Sequence, residues 1–146
     1  MKRDNIIKIL PYGPEFLFVD ELTKISSERA EGYYTFKKHE YFYKGHFKEN
    51  PVTPGVILIE CMAQIGLVCL GIYLLNSEKI SEKTAVAFSS SQVDFFIPVF
   101  PGEKVKVVSE KVYFRFNKLK CKIRMFNEKG ELVANGELSG MVKKYE

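Results

Sequence analysis

The run of 20 residues from Val56 to Leu75 is apolar except for two strongly polar side chains, Glu60 and Gln64. A segment of this length and composition forms either a membrane-spanning helix or a helix enclosed by protein on all sides. Glu60 and Gln64 lie four residues apart and therefore share one helix face, which suits a site better than contact with lipid. The flanks also lack the Lys/Arg asymmetry and the aromatic belts of a membrane span. We therefore predict a core helix and no membrane insertion.

The segment before this helix predicts where the helix begins. Thr53 is a suitable N-cap residue, and Pro54 suits the first helical position. Residues 37–55 form a predicted loop that is rich in turn residues and aromatic side chains. A loop this long inside a compact domain is usually functional or disordered, and this one is too aromatic to be disordered.

The rest of the chain predicts mainly antiparallel strands. Residues 119–125 alternate without a fault between apolar and basic side chains, as a half-buried strand does. The other predicted elements are a short helix at 3–11, two strands at 16–25 and 29–36, a polar connection at 77–84, and three strands at 84–99, 103–116 and 132–142. An antiparallel sheet wrapped around one long apolar helix buries both economically. The predicted fold class is therefore α+β, in a single domain over residues 1–146.

Composition and charge argue against several classes of function. The formal net charge is +4 without a dense basic tract, which argues against nucleic-acid binding but suits an acidic protein partner. The three cysteines lack the spacing of a zinc motif and lie in apolar surroundings, which predicts small core residues. The N-terminus does not resemble a signal peptide, which favours the cytoplasm. No pattern predicts a metal, nucleotide or redox cofactor.

Three groups near the start of the core helix fit one type of chemistry. Glu60 is the only acidic residue in the apolar helix, and burial would keep its carboxyl protonated, as a general acid requires. His46 is a natural general base near neutral pH, whereas His39 is predicted at the surface. The N–H of Gly55 and the helix dipole can hold a carbonyl oxygen. These groups suit α,β-dehydration next to a thioester; the alternative is a structural histidine in a turn and a glutamate paired with a buried polar group.

The segment from 45 to 64 resembles a known signature. It runs GHFKENPVTPGVILIECMAQ and resembles the pattern GHF-x-x-NP-x-x-PG-V-x-x-IE-x-MAQ of the 3-hydroxyacyl-ACP dehydratases of bacterial type II fatty-acid synthesis, the FabZ type. Residues 10–20 and 95–103 resemble two further segments of that family. The resemblance implies a hotdog fold, a homodimer whose two sheets join or a trimer of dimers, and acyl carrier protein as the partner.

The resemblance also implies roles for individual residues. His46 matches the family's catalytic histidine, Glu60 its catalytic carboxylate and Gly55 the amide that holds the carbonyl. Each site of the family takes the histidine from one subunit and the carboxylate from the other. The further residues predicted to bind substrate are Val56, Gln64 and Phe47. Gln64 either orients Glu60 or only adds polarity to the helix face, and Phe47 either lines an acyl tunnel or packs within its loop.

Departures from the family pattern concern the carrier and the pathway. Tyr12 stands where the family has histidine, and Phe96 and Ile97 replace a basic pair. These departures favour a specialised pathway, such as polyene synthesis, over housekeeping fatty-acid synthesis. Lys44 and Lys48, which flank the GHF motif, are then the predicted cations that steer an acidic carrier. A hotdog thioesterase and a non-catalytic subunit that binds acyl chains are the alternative functions.

Overall fold

The computed structural model describes residues 2–75 and 84–144, and the structural statements below refer to these residues. Its helices and strands are α1 (Arg3–Lys8), β1 (Glu21–Ile25), β2 (Arg29–Thr35), α2 (Gly55–Ala63), a π-helical turn (Gln64–Val68), α3 (Cys69–Leu74), β3 (Thr84–Phe95), β4 (Lys104–Arg115), β5 (Lys118–Phe126) and β6 (Leu132–Lys144). Two short 3-10 turns, Pro14–Phe16 and Tyr41–Lys44, lie in the loops before β1 and before α2. α2, the π-helical turn and α3 follow one another without a break, and together we call them the central helix.

The six strands form one antiparallel sheet in the order β1-β2-β4-β5-β6-β3, so that β1 and β3 are its edge strands. One face of this sheet packs on the central helix in a common apolar core. The apolar side of β5 is completely buried in that core, at Leu119, Cys121, Ile123 and Met125. The predicted layout, an antiparallel sheet around one apolar helix, is therefore confirmed.

The central helix lies very close to the sheet at Gly66. A Cβ atom at this position would lie 2.7 Å from Cδ1 of Ile123 and 2.9 Å from Cβ of Ser109, so a larger residue would push the helix away. The Ser109 hydroxyl donates to the carbonyl of Gly66 over 2.8 Å and satisfies a backbone group inside the π-helical turn. Such turns are frequent at functional sites, and this one begins at Gln64, beside the predicted acid.

The central helix is long and apolar enough to cross a membrane, with 20 residues and a mean hydropathy of 2.1 over its most apolar stretch. However, 78% of that stretch is buried inside the protein. Because most of its apolar surface is already buried within the protein, this helix has little apolar surface left that could contact lipid. The prediction of a core helix is confirmed.

The start of the central helix differs from its prediction. Pro54, not Thr53, is the N-cap residue, and no side chain among the described residues caps the helix. The Thr53 hydroxyl is instead bonded to the hydroxyl of Tyr43 at 2.6 Å, deep in the loop before the helix. This buried pair fixes the loop to the helix start, so Thr53 has a structural partner other than the helix N–H groups.

Three other predictions concern the remaining parts of the chain. The predicted strand over 16–25 is shorter in the structure, where only β1 is a strand. The N–H of Phe18 donates instead to the side chain of Gln64 at 2.8 Å, which holds this segment on the central helix. The predicted connection at 77–84 lies outside the described residues except for Thr84, the first residue of β3. All three cysteines are buried and free, as predicted.

Candidate active site

The loop before the central helix holds the imidazole of His46 in one tautomer. Its Nδ1 lies 2.9 Å from the carbonyl oxygen of Val52. Because a carbonyl can only accept a hydrogen bond, Nδ1 carries the proton and Nε2 of the neutral ring keeps a free lone pair. The N–H of Val52 donates back to the carbonyl of His46 at 2.9 Å and fixes both residues. His46 is therefore prepared to accept a proton at Nε2, whereas His39 is exposed, as predicted.

His46 lines a cavity of about 370 Å³ at the start of the central helix, which we call the His46 cavity. Gly55 and the end of β3 at Phe95 form other parts of its wall. The carbonyl of Pro54 accepts hydrogen bonds from the N–H groups of Ile57 and Leu58. The N–H groups of Gly55 and Val56 have no backbone acceptor in the described part of the chain. The phenyl ring of Phe95 would lie 3.2 Å from a Cβ at Gly55, so glycine keeps the wall open. The cavity thus combines a base with the positively polarised end of a helix.

Glu60 lies on a different cavity of about 150 Å³, which we call the Glu60 cavity. Its walls include Tyr12 and Phe16 from the N-terminal segment and Phe88 from β3. Burial raises the pKa of the Glu60 carboxyl, and a hydrogen bond from Gln64 opposes that rise. The carboxyl therefore keeps its proton to a higher pH than a carboxyl in water, as a general acid needs.

The completely buried side chain of Gln64 joins Glu60 to the N-terminal segment. Its Nε2 donates to Oε2 of Glu60 at 2.9 Å and to the carbonyl of Phe16 at 2.9 Å. Its Oε1 accepts from the N–H of Phe18 at 2.8 Å. Gln64 was expected either to orient Glu60 or only to add polarity to the helix face, and the hydrogen bond that the first interpretation requires is present. The same amide holds the Phe16 segment beside the Glu60 cavity.

His46 and Glu60 of one chain line separate cavities and are not brought together. Glu60 is five residues beyond Gly55, which is about 7.5 Å along the helix axis and on another side of the helix. Phe95 of β3 lines the His46 cavity and Phe88 of β3 lines the Glu60 cavity. About 20 Å of the strand separates these two residues. Each chain thus has two separate cavities at different points along its edge strand.

Three residues predicted to bind substrate, Val56, Phe47 and Gln64, lie outside the walls of both cavities. Val56 is 72% exposed, and Phe47 is 56% exposed with its ring stacked on His46 at a centroid distance of 4.1 Å. Their contact with substrate stays a prediction. The sequence did not predict that Tyr12 and Phe88 line the Glu60 cavity. The only sequence signal at Tyr12 was its departure from the family pattern. Among residues 2–75 and 84–144 no cluster of three His, Cys, Asp or Glu side chains could hold a metal ion.

The sequence is similar to those of known dehydratases. A family model described as a FabA-like domain matches residues 10–139. The chain is 34% identical over 140 residues to 3-hydroxyacyl-[acyl-carrier-protein] dehydratase FabZ of Caldicellulosiruptor saccharolyticus, covering 95% of this chain and 96% of that protein. It is 37% identical over 105 residues to the FabZ dehydratase of Clostridium botulinum strain Hall, covering 71% of this chain and 70% of that protein.

Solved structures share the fold at lower identity. The dehydratase heterocomplex ApeI:P from Xenorhabdus doucetiae matches with a TM-score of 0.80 and 12% identity, over 95% of this chain and 91% of that chain. A hypothetical thioesterase with coenzyme A from Streptococcus pneumoniae matches with a TM-score of 0.62 and 12% identity, over 86% of this chain and 87% of that chain. At these identities the likeness shows the fold alone. It confirms the predicted hotdog fold, which dehydratases and thioesterases share.

Proposed function

Since the chain belongs to the FabA-like domain family, we propose that it removes water from 3-hydroxyacyl chains on acyl carrier protein and forms trans-2-enoyl chains. The observation that carries this proposal is the free Nε2 of His46 in a cavity that also contains the N-terminus of the central helix. The FabZ relatives support the same substrate class, since they are dehydratases of 3-hydroxyacyl carrier thioesters.

His46 supplies the base of the proposed reaction. Nε2 takes the proton from C2 of the thioester, and negative charge develops on the thioester carbonyl oxygen. The N–H groups of Gly55 and Val56, together with the helix dipole, stabilise that charge. A preorganised donor of this kind contributes about 3 kcal/mol to the transition state.

Glu60 supplies the acid. It gives its proton to the C3 hydroxyl, which leaves as water while the C2–C3 double bond forms. Gln64 is bonded to Oε2 of Glu60, which leaves the other carboxyl oxygen for the substrate. After the reaction His46 holds the proton from C2 and Glu60 is ionised, so exchange with solvent restores both groups for the next turnover.

In this proposal the His46 cavity and the Glu60 cavity are two half-sites, which meet when two copies of the chain associate through β3. This edge strand has 12 residues, and its outer side has no strand partner in the described part of the chain. A long unpaired edge is a template for another strand. Antiparallel pairing of β3 with its copy about a two-fold axis puts the Phe95 end of one strand beside the Phe88 end of the other. His46 of one copy then faces Glu60 of the other, and two identical sites form.

Exposed aromatic rings on β3 support this association. Phe88 is 47% exposed and Phe95 is 45% exposed, although both belong to cavity walls. Pairing through β3 covers these rings and removes the open edge at once. A homodimer is therefore the smallest active form in this proposal. A trimer of dimers is a further part of it that rests on the family resemblance. A single hotdog domain over 1–146, which suits the chain length, and a cytoplasmic location are also parts of this proposal.

Incubation with 3-hydroxyacyl and with saturated acyl carrier thioesters tests the reaction. A dehydratase produces conjugated enoyl absorbance from the first substrate and releases no free thiol from either. Release of free thiol would instead identify a thioesterase, whose fold the chain shares. A chain that binds both substrates and changes neither would be a non-catalytic acyl-binding subunit.

Lys44 and Lys48 have exposed side chains on either side of the GHF motif (45–47), and they are the proposed docking cations for the acidic carrier. We expect Lys44→Glu with Lys48→Glu to lower kcat/KM roughly tenfold on carrier-linked substrate, because long-range attraction sets the rate of encounter. On a short pantetheine thioester, which has no acidic carrier, the kcat/KM of this double variant should change little. The wild-type rate on carrier should also fall with added salt.

The matched control reverses two other exposed lysines, as Lys122→Glu with Lys129→Glu, which changes the net charge equally on β5 and in the β5–β6 loop. We expect this control to lose much less activity on carrier. Equal losses on both substrates would show that Lys44 and Lys48 serve the reaction itself. A rate independent of salt would show that carrier docking is apolar.

A further inference from the structure

Tyr12 is the second polar side chain of the Glu60 cavity, and the mechanism above gives it no role. Its ring packs against Phe16, with centroids 6.4 Å apart. The hydroxyls of two buried tyrosines, Tyr34 and Tyr43, are bonded to protein groups at 2.8 and 2.6 Å. By contrast, the Tyr12 hydroxyl has no hydrogen-bond partner among residues 2–75 and 84–144. Tyr12 is half-buried on the wall of this cavity, so its hydroxyl is available to donate to a ligand that enters it.

The chemistry of Tyr12 suits donation rather than proton transfer. Burial, and then the nearby Glu60 carboxyl, raise the pKa of the Tyr12 hydroxyl above its ordinary value of 10.0. Tyr12 therefore keeps its proton wherever the enzyme works. Glu60 is close enough to act on Tyr12 electrostatically, yet no hydrogen bond joins them, and both line a cavity of about 150 Å³. A cavity of that size holds a group about as large as a benzene ring.

We propose that Tyr12 is a further catalytic residue, whose hydroxyl donates a hydrogen bond to the oxygen of the substrate's 3-hydroxyl group beside the Glu60 carboxyl. This proposal rests on the proposed dehydration. The C3–O bond breaks, Glu60 gives its proton to the departing oxygen, and the electron pair left at C2 forms the C2–C3 double bond. Tyr12 keeps its own proton throughout and stabilises the charge that builds on the oxygen as the bond lengthens. The apolar walls strengthen that hydrogen bond.

Steady-state kinetics of Tyr12→Phe test the proposal, because this variant keeps the ring and its contact with Phe16. We expect kcat to fall about tenfold or more and KM to rise by a smaller factor, since the bond is already present in the bound substrate and is strongest in the transition state. Tyr12→His should recover part of kcat, because an imidazole N–H can donate to the same oxygen. Tyr41→Phe is the matched control, and it should keep the wild-type kcat because Tyr41 is exposed.

Binding measurements isolate the contact with the hydroxyl. In a Glu60→Gln background, which prevents turnover, Tyr12→Phe should raise the Kd of a 3-hydroxyacyl pantetheine thioester about three- to tenfold. The saturated thioester of the same length should bind unchanged, because it lacks the hydroxyl. An unchanged kcat, or equal weakening of both ligands, would overturn the role of Tyr12. A wild-type chain that forms no enoyl product would refute the proposed function instead, and the binding comparison would still test the contact.

Discussion

We expect His46→Ala to lower kcat/KM for dehydration by about 100-fold or more, with the fold retained. The reason is the tautomer: the carbonyl of Val52 holds the proton on Nδ1, so Nε2 is the nitrogen free to accept a proton in the His46 cavity. Alanine removes that acceptor and one hydrogen bond, which costs stability by only about 1 kcal/mol. Progress curves of enoyl formation measure the loss, and thermal unfolding checks the fold.

Two variants separate the base from a structural histidine. His46→Asn keeps an N–H near the position of Nδ1 for Val52 but has no base, so it should lose as much activity as alanine. His39→Ala removes the exposed histidine and should leave activity unchanged. Activity of His46→Asn within a few-fold of wild type would mean that the hydrogen bond to Val52, and not proton abstraction, is what the reaction requires.

Glu60→Gln should reduce kcat by a similar factor while substrate binding stays close to wild type. The amide keeps the shape of the carboxyl and can still accept from Gln64, but it has no acidic proton for the leaving hydroxyl. Because that proton moves only in the transition state, the loss falls on kcat. Glu49→Gln, at an exposed position in the loop before the central helix, is the matched control and should have no effect. Normal turnover by Glu60→Gln would show that Glu60 is structural.

The raised pKa of Glu60 also has a consequence for pH dependence. Burial, opposed by the hydrogen bond from Gln64, raises the pKa of the Glu60 carboxyl above its ordinary value. The Glu60 carboxyl therefore binds a proton more strongly in the folded chain than in the unfolded chain. As the pH rises from the pKa of Glu60 in the unfolded chain through its pKa in the folded chain, the free energy of unfolding decreases. Glu60→Gln removes this loss, and the variant should resist urea better than wild type above that window. A variant less stable than wild type there would contradict burial as the main cause of the shift.

Periodic patterns in the sequence predicted the core well. The alternation of β5 and the apolar run of the central helix each follow from one local period, and both were confirmed. The pair Glu60 and Gln64 was also predicted on one face, because i and i+4 are neighbours on a helix.

Contacts between distant parts of the chain could not be predicted in the same way. Gln64 bonds to Phe16 and Phe18, which are 48 and 46 residues away, and these bonds replace the expected strand. Such bonds depend on the packed fold rather than on local preference. Thr53 similarly bonds to Tyr43 instead of capping the helix, since a buried hydroxyl pair satisfies both groups.

The separation of the two half-sites also lies beyond local sequence. His46 and Glu60 are only 14 residues apart, yet they line different cavities of one chain. The central proposal is that the reaction centre takes His46 from one copy and Glu60 from another. In a dimer of His46→Ala and Glu60→Gln subunits, one site holds both substitutions and the other holds neither.

Mixing these two inactive variants tests that proposal most directly. After random subunit exchange about half of the dimers are mixed, and each mixed dimer has one intact site of two. The account predicts recovery of about a quarter of the wild-type dehydration rate, measured as enoyl absorbance after exchange is confirmed with tagged subunits. A mixture that exchanges subunits fully and stays as inactive as the separate variants would contradict a centre shared between two chains.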